Sequence, residues 1–160
     1  MKRLVTITTM VVVGLSIGCG AGPETTDRSA QATVPGAAVT AHGGTELAWE
    51  DDWDTAFAKA RSQDKVVLAS FEAEWCVWCR RLETTTYRDT KVASVLDASV
   101  VPVSLDVDGN GRELSDTYAV DGLPTVVVFD SEGRELGRID GYMPPGSFLE
   151  RLEAILAQRG

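Results

Sequence analysis

Two cysteines three residues apart, Cys76-Val77-Trp78-Cys79, constrain this chain more than any other feature. At that spacing, on the first turn of a helix, two thiols can close and reopen a disulfide without disturbing the backbone around them. The preceding run, Lys65-Val66-Val67-Leu68-Ala69-Ser70-Phe71, reads as a buried strand, and the following run, Arg80-Arg81-Leu82-Glu83-Thr84-Thr85, continues a helix. A short Glu72-Ala73-Glu74-Trp75 loop joins them. Strand, short loop and then Cys-x-x-Cys at a helix start is the setting in which such a pair is redox-active rather than inert. The unpaired N–H groups of a first helical turn stabilise a thiolate, so Cys76 is the expected attacking sulfur and Cys79 the resolving one.

The 160 residues suit one domain plus additional segments, and 44% hydrophobic content is ordinary for a globular fold. A net charge of -9 would repel phosphate backbones, which argues against nucleic acid as a partner. Acidity of this kind otherwise serves solubility and names no partner.

The first residues read as an export signal rather than as part of the fold. Lys2 and Arg3 are positive, Leu4 to Ile17 are mostly apolar, and Gly18-Cys19 ends the run. The stretch is shorter than the about 20 residues that cross a bilayer. Its ending, Leu15-Ser16-Ile17-Gly18-Cys19, resembles the lipobox of bacterial lipoproteins, departing from it at Ser16, where Leu is commoner. That resemblance implies cleavage after residue 18 and lipid attachment at Cys19. Cysteine arithmetic agrees: of three cysteines, lipidation of one leaves a pair and no orphan thiol in an oxidising compartment. An ordinary secretory signal with an incidental Cys is the alternative. The expected location is therefore outside the cytoplasm, in the cell envelope, with the membrane touched through the lipid alone.

Residues 19–46 are mostly Ala, Gly, Thr, Ser and Pro, with Val34 and Val39 as the larger apolar side chains, and cannot bury enough surface to order themselves. They read as a tether of roughly 30 Å reach if they behave as flexible coil. His42, the single histidine, falls in it, so no His-based catalysis is expected. The folded domain is expected over 47–160. Trp53, Phe57 and Ala60 share a helix face. Buried strands are expected at Val66 to Phe71, Val100 to Val107 and Thr125 to Asp130, and a half-exposed strand at Arg134 to Ile139. Helices are expected at Lys91 to Leu96, Glu113 to Tyr118 and Pro145 to Gln158. This order predicts an α/β fold, a central mixed sheet flanked by helices on both faces.

Over about Leu47 to Leu156 the chain resembles thioredoxin-fold proteins in three blocks. One is Ala73-Glu74-Trp75-Cys76-Val77-Trp78-Cys79; another is Val120-Asp121-Gly122-Leu123-Pro124-Thr125-Val126-Val127-Val128-Phe129; the last is Gly141-Tyr142 followed by the Phe148 to Leu156 helix. Trp78 at the third position of the motif, the Arg80-Arg81-Leu82-Glu83 continuation and the expected lipid-anchored or periplasmic setting look most like the thioredoxin-like domains of bacterial thiol:disulfide interchange proteins. Cytosolic thioredoxin usually has Gly-Pro between its cysteines. The resemblance implies the thioredoxin fold, a cis peptide bond before Pro124 lying against the disulfide, and a backbone at Leu123 that pairs with a bound substrate chain as an added strand would. Thioredoxins usually keep a buried acid at the position of Ser70 and an aromatic at that of Glu72, so proton handling here falls to another group, Glu72, Glu74 or water.

The expected chemistry is thiol-disulfide exchange with partner proteins through a mixed disulfide, with no cofactor and no metal. The partners implied are protein thiols and disulfides together with an upstream electron-donor protein, and a monomer is the expected state. Trp75 and Trp78 supply a substrate-facing apolar surface, to which the resemblance adds Leu123 and Pro124. Glu72 and Glu74 disfavour the thiolate, Arg80 and Arg81 favour it, and the balance points to a reductant rather than an oxidant.

Two segments carry metal-binding signals. Asp106-Val107-Asp108-Gly109-Asn110-Gly111 opens like a calcium loop, but its twelfth position is Thr117, which offers no bidentate carboxylate, so a polar turn is expected. Cys76 and Cys79 could hold Cu(I), which leaves a copper carrier as an alternative class; a structural zinc site would need four ligands. A partner-binding scaffold without turnover is the other alternative.

Overall fold

The computed structural model describes residues 47–159. The expected export signal, the tether with His42 and the lipid attachment at Cys19 lie outside the described residues.

Alternation along the strands decides the layering. β1 (Val66–Glu72) is the centre of a four-stranded sheet of order β2-β1-β3-β4. It runs parallel to β2 (Val100–Asp106) and antiparallel to β3 (Thr125–Phe129), which pairs antiparallel with β4 (Glu135–Asp140). Successive side chains of a strand point to opposite faces. Val67, Ala69 and Phe71 therefore join Val101, Val103, Leu105, Val127 and Phe129 against Ala56, Phe57 and Ala60 of α1 (Trp53–Gln63). Val66 and Leu68 join Val126 and Val128 on the other face, against α3 (Thr90–Ser99) and α5 (Pro145–Leu156) through Val92, Leu96, Phe148, Leu152 and Ile155. This is the thioredoxin fold that the three blocks implied, a mixed sheet with helices on both faces.

Local chemistry sets the helix ends. The Asp52 carboxylate caps α1 by accepting from the Thr55 amide at 2.8 Å, and Asp64 closes it in the left-handed region at φ 53°. Asp89 accepts from the Lys91 and Val92 amides and starts α3, a turn longer than apolar spacing alone suggested. Pro145 stands in the first turn of α5, where its missing N–H costs nothing.

Ahead of α1, Glu50 bridges to Val103 in parallel fashion, its amide donating to Pro102 and its carbonyl accepting from Ser104. The outer edge of β2 is covered in this way by the lead-in segment, an element that the sequence reading did not anticipate.

The largest departure lies after the cysteines. The expected continuous helix ends at Arg81 as α2 (Val77–Arg81), and Leu82–Thr86 winds as a π-helical stretch with the Tyr87 amide reaching back to the Leu82 carbonyl at 3.0 Å. Thr84 and Thr85 donate their hydroxyls to the carbonyls of Arg80 and Arg81 at 2.7 and 2.6 Å. Such back-bonding by Thr competes for helical carbonyls and bends a helix. The widened turn carries Tyr87 into the core, edge-on to Phe148 and against Trp49.

Candidate functional site

β1 delivers the chain to the sulfurs. After Glu72 the backbone turns so that the Cys76 amide donates to the Ala73 carbonyl at 3.0 Å, and Cys76 becomes the N-cap of α2. Cys76 and Cys79 form a disulfide, S–S 2.00 Å, with Cα atoms 5.2 Å apart. The Cys79 amide donates to Cys76 Sγ at 3.1 Å. An N–H aimed at that sulfur stabilises the anion it becomes on reduction.

The two cysteines sit apart from both large cores, in a small cluster with Ala73 bordered by Val107 and Leu123. They are more covered than a bare helix tip, 6% exposed at Cys76 and 5% at Cys79. What surrounds them is open. Trp75, Val77 and Trp78 are 66%, 63% and 53% exposed, and they are the large apolar side chains that the described residues leave in water. Contiguous exposed apolar surface of this kind marks interaction sites.

The fixed arm of the site comes from the start of β3. The Leu123–Pro124 peptide bond is cis, as the resemblance implied. Pro124 is buried, with its carbonyl accepting from the Gly141 amide at 2.8 Å, while half-buried Leu123 lies against the cysteine cluster. Among the described residues the backbone N–H and C=O of Leu123 have no partner in the chain.

Trp75 is held from a distance in sequence. Its indole N–H donates to Asp108 at 2.8 Å, and Asp108 belongs to the Asp106–Gly111 loop. The other polar side chains of that loop hold backbone: Asp106 accepts from the Asp108 amide at 2.9 Å, and the Asn110 side chain accepts from the Asp106 amide and donates to the carbonyls of Asp51 and Ser104. It is the polar turn that the residues suggested, acting as a clasp. Among the described residues no cluster of three or more His, Cys, Asp or Glu could hold a metal ion.

Toward the end of β1 that leads to the cysteines lies a polar layer. Ser70 and Glu72 share the β1 face of Val66 and Leu68, the face covered by Leu82 and Tyr87. Ser70 Oγ and the Tyr87 hydroxyl are 3.1 Å apart in the core. Ser104 donates to the Glu72 carboxylate. Burial pushes the Glu72 carboxyl above the usual range, the Ser104 hydrogen bond opposes it, and Glu83 and Asp106 add to the rise. Burial also pushes the Tyr87 phenol up, against the Ser70 hydrogen bond, with Glu72 reinforcing it. Glu74, the other carboxylate considered, is exposed, and its carbonyl accepts from the Arg80 guanidinium.

The structure thus gathers Cys76, Cys79, Trp75, Trp78, Leu123 and Pro124 at one end of the sheet. Sequence reasoning missed Asp108, Tyr87 and Tyr142. Asp108 and Tyr142 reach the site from loops remote in sequence, and Tyr87 depends on a π turn that apolar spacing does not encode.

The sequence profile of the thioredoxin-like domain family matches residues 53–156. A thiol:disulfide interchange protein DsbD from Pseudoalteromonas atlantica is 32% identical over 111 residues, 66% of this chain and 19% of that protein. The DsbD of Yersinia pestis is 37% identical over 99 residues, 59% of this chain and 16% of that protein. The matches therefore span less than a fifth of the length of these relatives. Among solved structures, a thioredoxin from Thermus thermophilus is 31% identical with a TM-score of 0.65, covering 71% of this chain and 90% of that one. The C-terminal domain of Neisseria meningitidis DsbD in its oxidised form shares the fold at 24% identity, with a TM-score of 0.58, over 67% of this chain and 98% of that one. With its Cys76–Cys79 pair of the disulfide-oxidoreductase type, the chain belongs to the family of thioredoxin-like domains and is homologous to thiol:disulfide interchange proteins.

Proposed function

We propose that this protein is an extracytoplasmic thiol-disulfide oxidoreductase that reduces disulfides in partner proteins. The Cys76 thiolate attacks one sulfur of the partner disulfide, a mixed disulfide forms, and the partner's other sulfur leaves as a thiolate that takes up a proton. Cys79, deprotonated, then attacks Cys76 Sγ, which releases the second partner thiol and closes Cys76–Cys79. Two electrons pass from the dithiol to the partner, and an upstream electron-donor protein restores the dithiol.

The observation that carries this reading is the joining of Cys76 and Cys79 within an exposed apolar surround, Trp75, Val77 and Trp78, beside the Leu123–Pro124 arm. Trp75 and Trp78 offer contact area to a partner, and the unpartnered backbone of Leu123 supports pairing with an extended partner segment over Pro124. Glu72 is the carboxylate on the buried side of the site, and it takes the proton-handling role that Ser70 cannot fill. The carboxylates of Glu72 and Glu74, which precede the cysteines in the chain, oppose accumulation of thiolate, which supports a reductant. Residues 1–18 act as export signal, Cys19 as the lipidated residue, 19–46 as tether and 47–160 as the redox domain, a monomer at a membrane surface.

The test is insulin reduction in the presence of dithiothreitol, together with the reduction potential of the couple. The wild type is expected to precipitate insulin B chain and Cys76→Ser to lose that activity. Cys79→Ser is expected to accumulate a mixed disulfide. A potential near about -270 mV supports the reductant, while one near about -120 mV makes the protein an oxidant. Stoichiometric Cu(I) binding without insulin reduction would establish the carrier instead, and retained partner binding in both Cys→Ser variants without turnover the scaffold.

A further inference from the structure

Beside the sulfurs, Trp78, Arg81 and Tyr142 form a triangular cluster. The Arg81 guanidinium lies 5.6 Å from the centroid of the Trp78 ring and 5.2 Å from that of Tyr142, and the two rings are 5.6 Å apart with 33° between their planes. Both distances fall within the range at which a ring face attracts a cation. The Tyr142 hydroxyl is 3.4 Å from Thr85 Oγ1, and the phenol is held below its ordinary range first by that Thr85 contact and then by Arg81.

Arg81 is exposed, and among the described residues it makes no ion pair, whereas Arg112, Arg134, Arg138 and Arg159 all do. Its neighbour Arg80 is turned back onto the Glu74 carbonyl. A guanidinium set over two rings has already lost much of its rotamer freedom, and the N–H groups it does not turn to the Tyr142 hydroxyl are left for a planar acceptor. The charge also runs against its setting. The chain carries a net -9, which would repel an acidic partner, yet a fixed cation stands within the exposed apolar surround of the sulfurs.

We propose that Arg81, clasped by Trp78 and Tyr142, is a specificity-determining residue that pairs with a carboxylate on the partner polypeptide beside the disulfide being exchanged. The apolar part of that segment rests on Trp75 and Val77, and its acidic side chain meets the guanidinium edge. This inference rests on the exchange activity proposed above.

The experiment uses two synthetic peptides, each with one intramolecular disulfide, identical except that Glu residues flank the cysteines in one and Gln in the other. Reduction by the reduced protein is followed through its tryptophan fluorescence at low ionic strength. The wild type is expected to favour the Glu peptide in kcat/KM by about three- to fivefold, the range of an exposed ion pair, and to lose the preference at high salt. Arg81→Gln is expected to bring the ratio to one. Arg88→Gln, which removes the same charge from an exposed position outside the cluster, is expected to keep it. The proposal is overturned if the wild type does not distinguish the peptides, if Arg81→Gln slows both alike and leaves the ratio intact, or if Arg88→Gln abolishes the ratio equally. Reduction of neither peptide by the wild type would remove the exchange reading itself, a failure distinct from reduction of both without preference.

Discussion

Glu72 shows how one residue can separate what a motif suggests from what an environment imposes. Next to Cys-x-x-Cys it reads as a loop carboxylate and one of several candidates for proton handling, and the fold sets it at the end of a buried strand with Ser104 donating to it and Glu83 and Asp106 contributing repulsion. Its folded-state carboxyl therefore titrates above the ordinary value. Well below that value it is protonated in both folded and unfolded chains and costs nothing. As pH rises through the ordinary range and past the folded value, the folded state must hold a charge that burial disfavours, so Glu72 subtracts stability at neutral pH but not in acid. Glu72→Gln keeps an oxygen for Ser104 and removes the charge. The variant is expected to gain thermal stability over the wild type at pH 7 and to gain less at pH 4. Equal differences at the two pH values, measured by circular dichroism melting, would show that the carboxyl is not perturbed.

At the scale of elements, strands and sulfurs were legible and the connections were not. The near-continuous apolar runs at Val66 to Phe71 and Thr125 to Phe129 mark β1 and β3 because burial on both faces demands such runs. The π turn at Leu82–Thr86 was not, since it turns on two Thr hydroxyls choosing their own helical carbonyls. The Asp106–Gly111 loop announced itself by composition, but its clasp on Trp75 and on Asp51 joins positions far apart in the chain. Gly111 closes that loop where a Cβ would lie 2.8 Å from the Leu105 Cβ and 2.9 Å from the Leu105 carbonyl carbon. Relief there means moving backbone. Gly111→Ala is expected to destabilise by about 1–3 kcal/mol, read as a lowered urea midpoint with the slope unchanged.

For the whole molecule, sequence and structure divide the labour. The Cys-x-x-Cys segment, Pro124 and the order of elements led to the thioredoxin fold, because these are set by local periodicity and by a resemblance carried on short blocks. The contact of Arg81 with the Trp78 and Tyr142 rings and the polar layer of Ser70, Glu72, Tyr87 and Ser104 exist only after residues from β1, α2, β2 and the loop at Tyr142 are brought together. At this scale the anchoring proposal also has its check: Cys19→Ala is expected to move the protein from the detergent phase to the aqueous phase on Triton X-114 partitioning, with insulin reduction retained. An unchanged distribution would mean that Cys19 carries no lipid.

The lead-in at Glu50 gives that arrangement a direction. It runs parallel to β2, and Leu47 and Ala48 lie beside Lys65, Asp97 and Val100, where β1 and β2 begin. Cys76 follows the opposite ends of those strands. The tether proposed for 19–46 would therefore join the domain at the end of the sheet opposite its sulfurs, so that the two ends of β1 divide attachment from exchange.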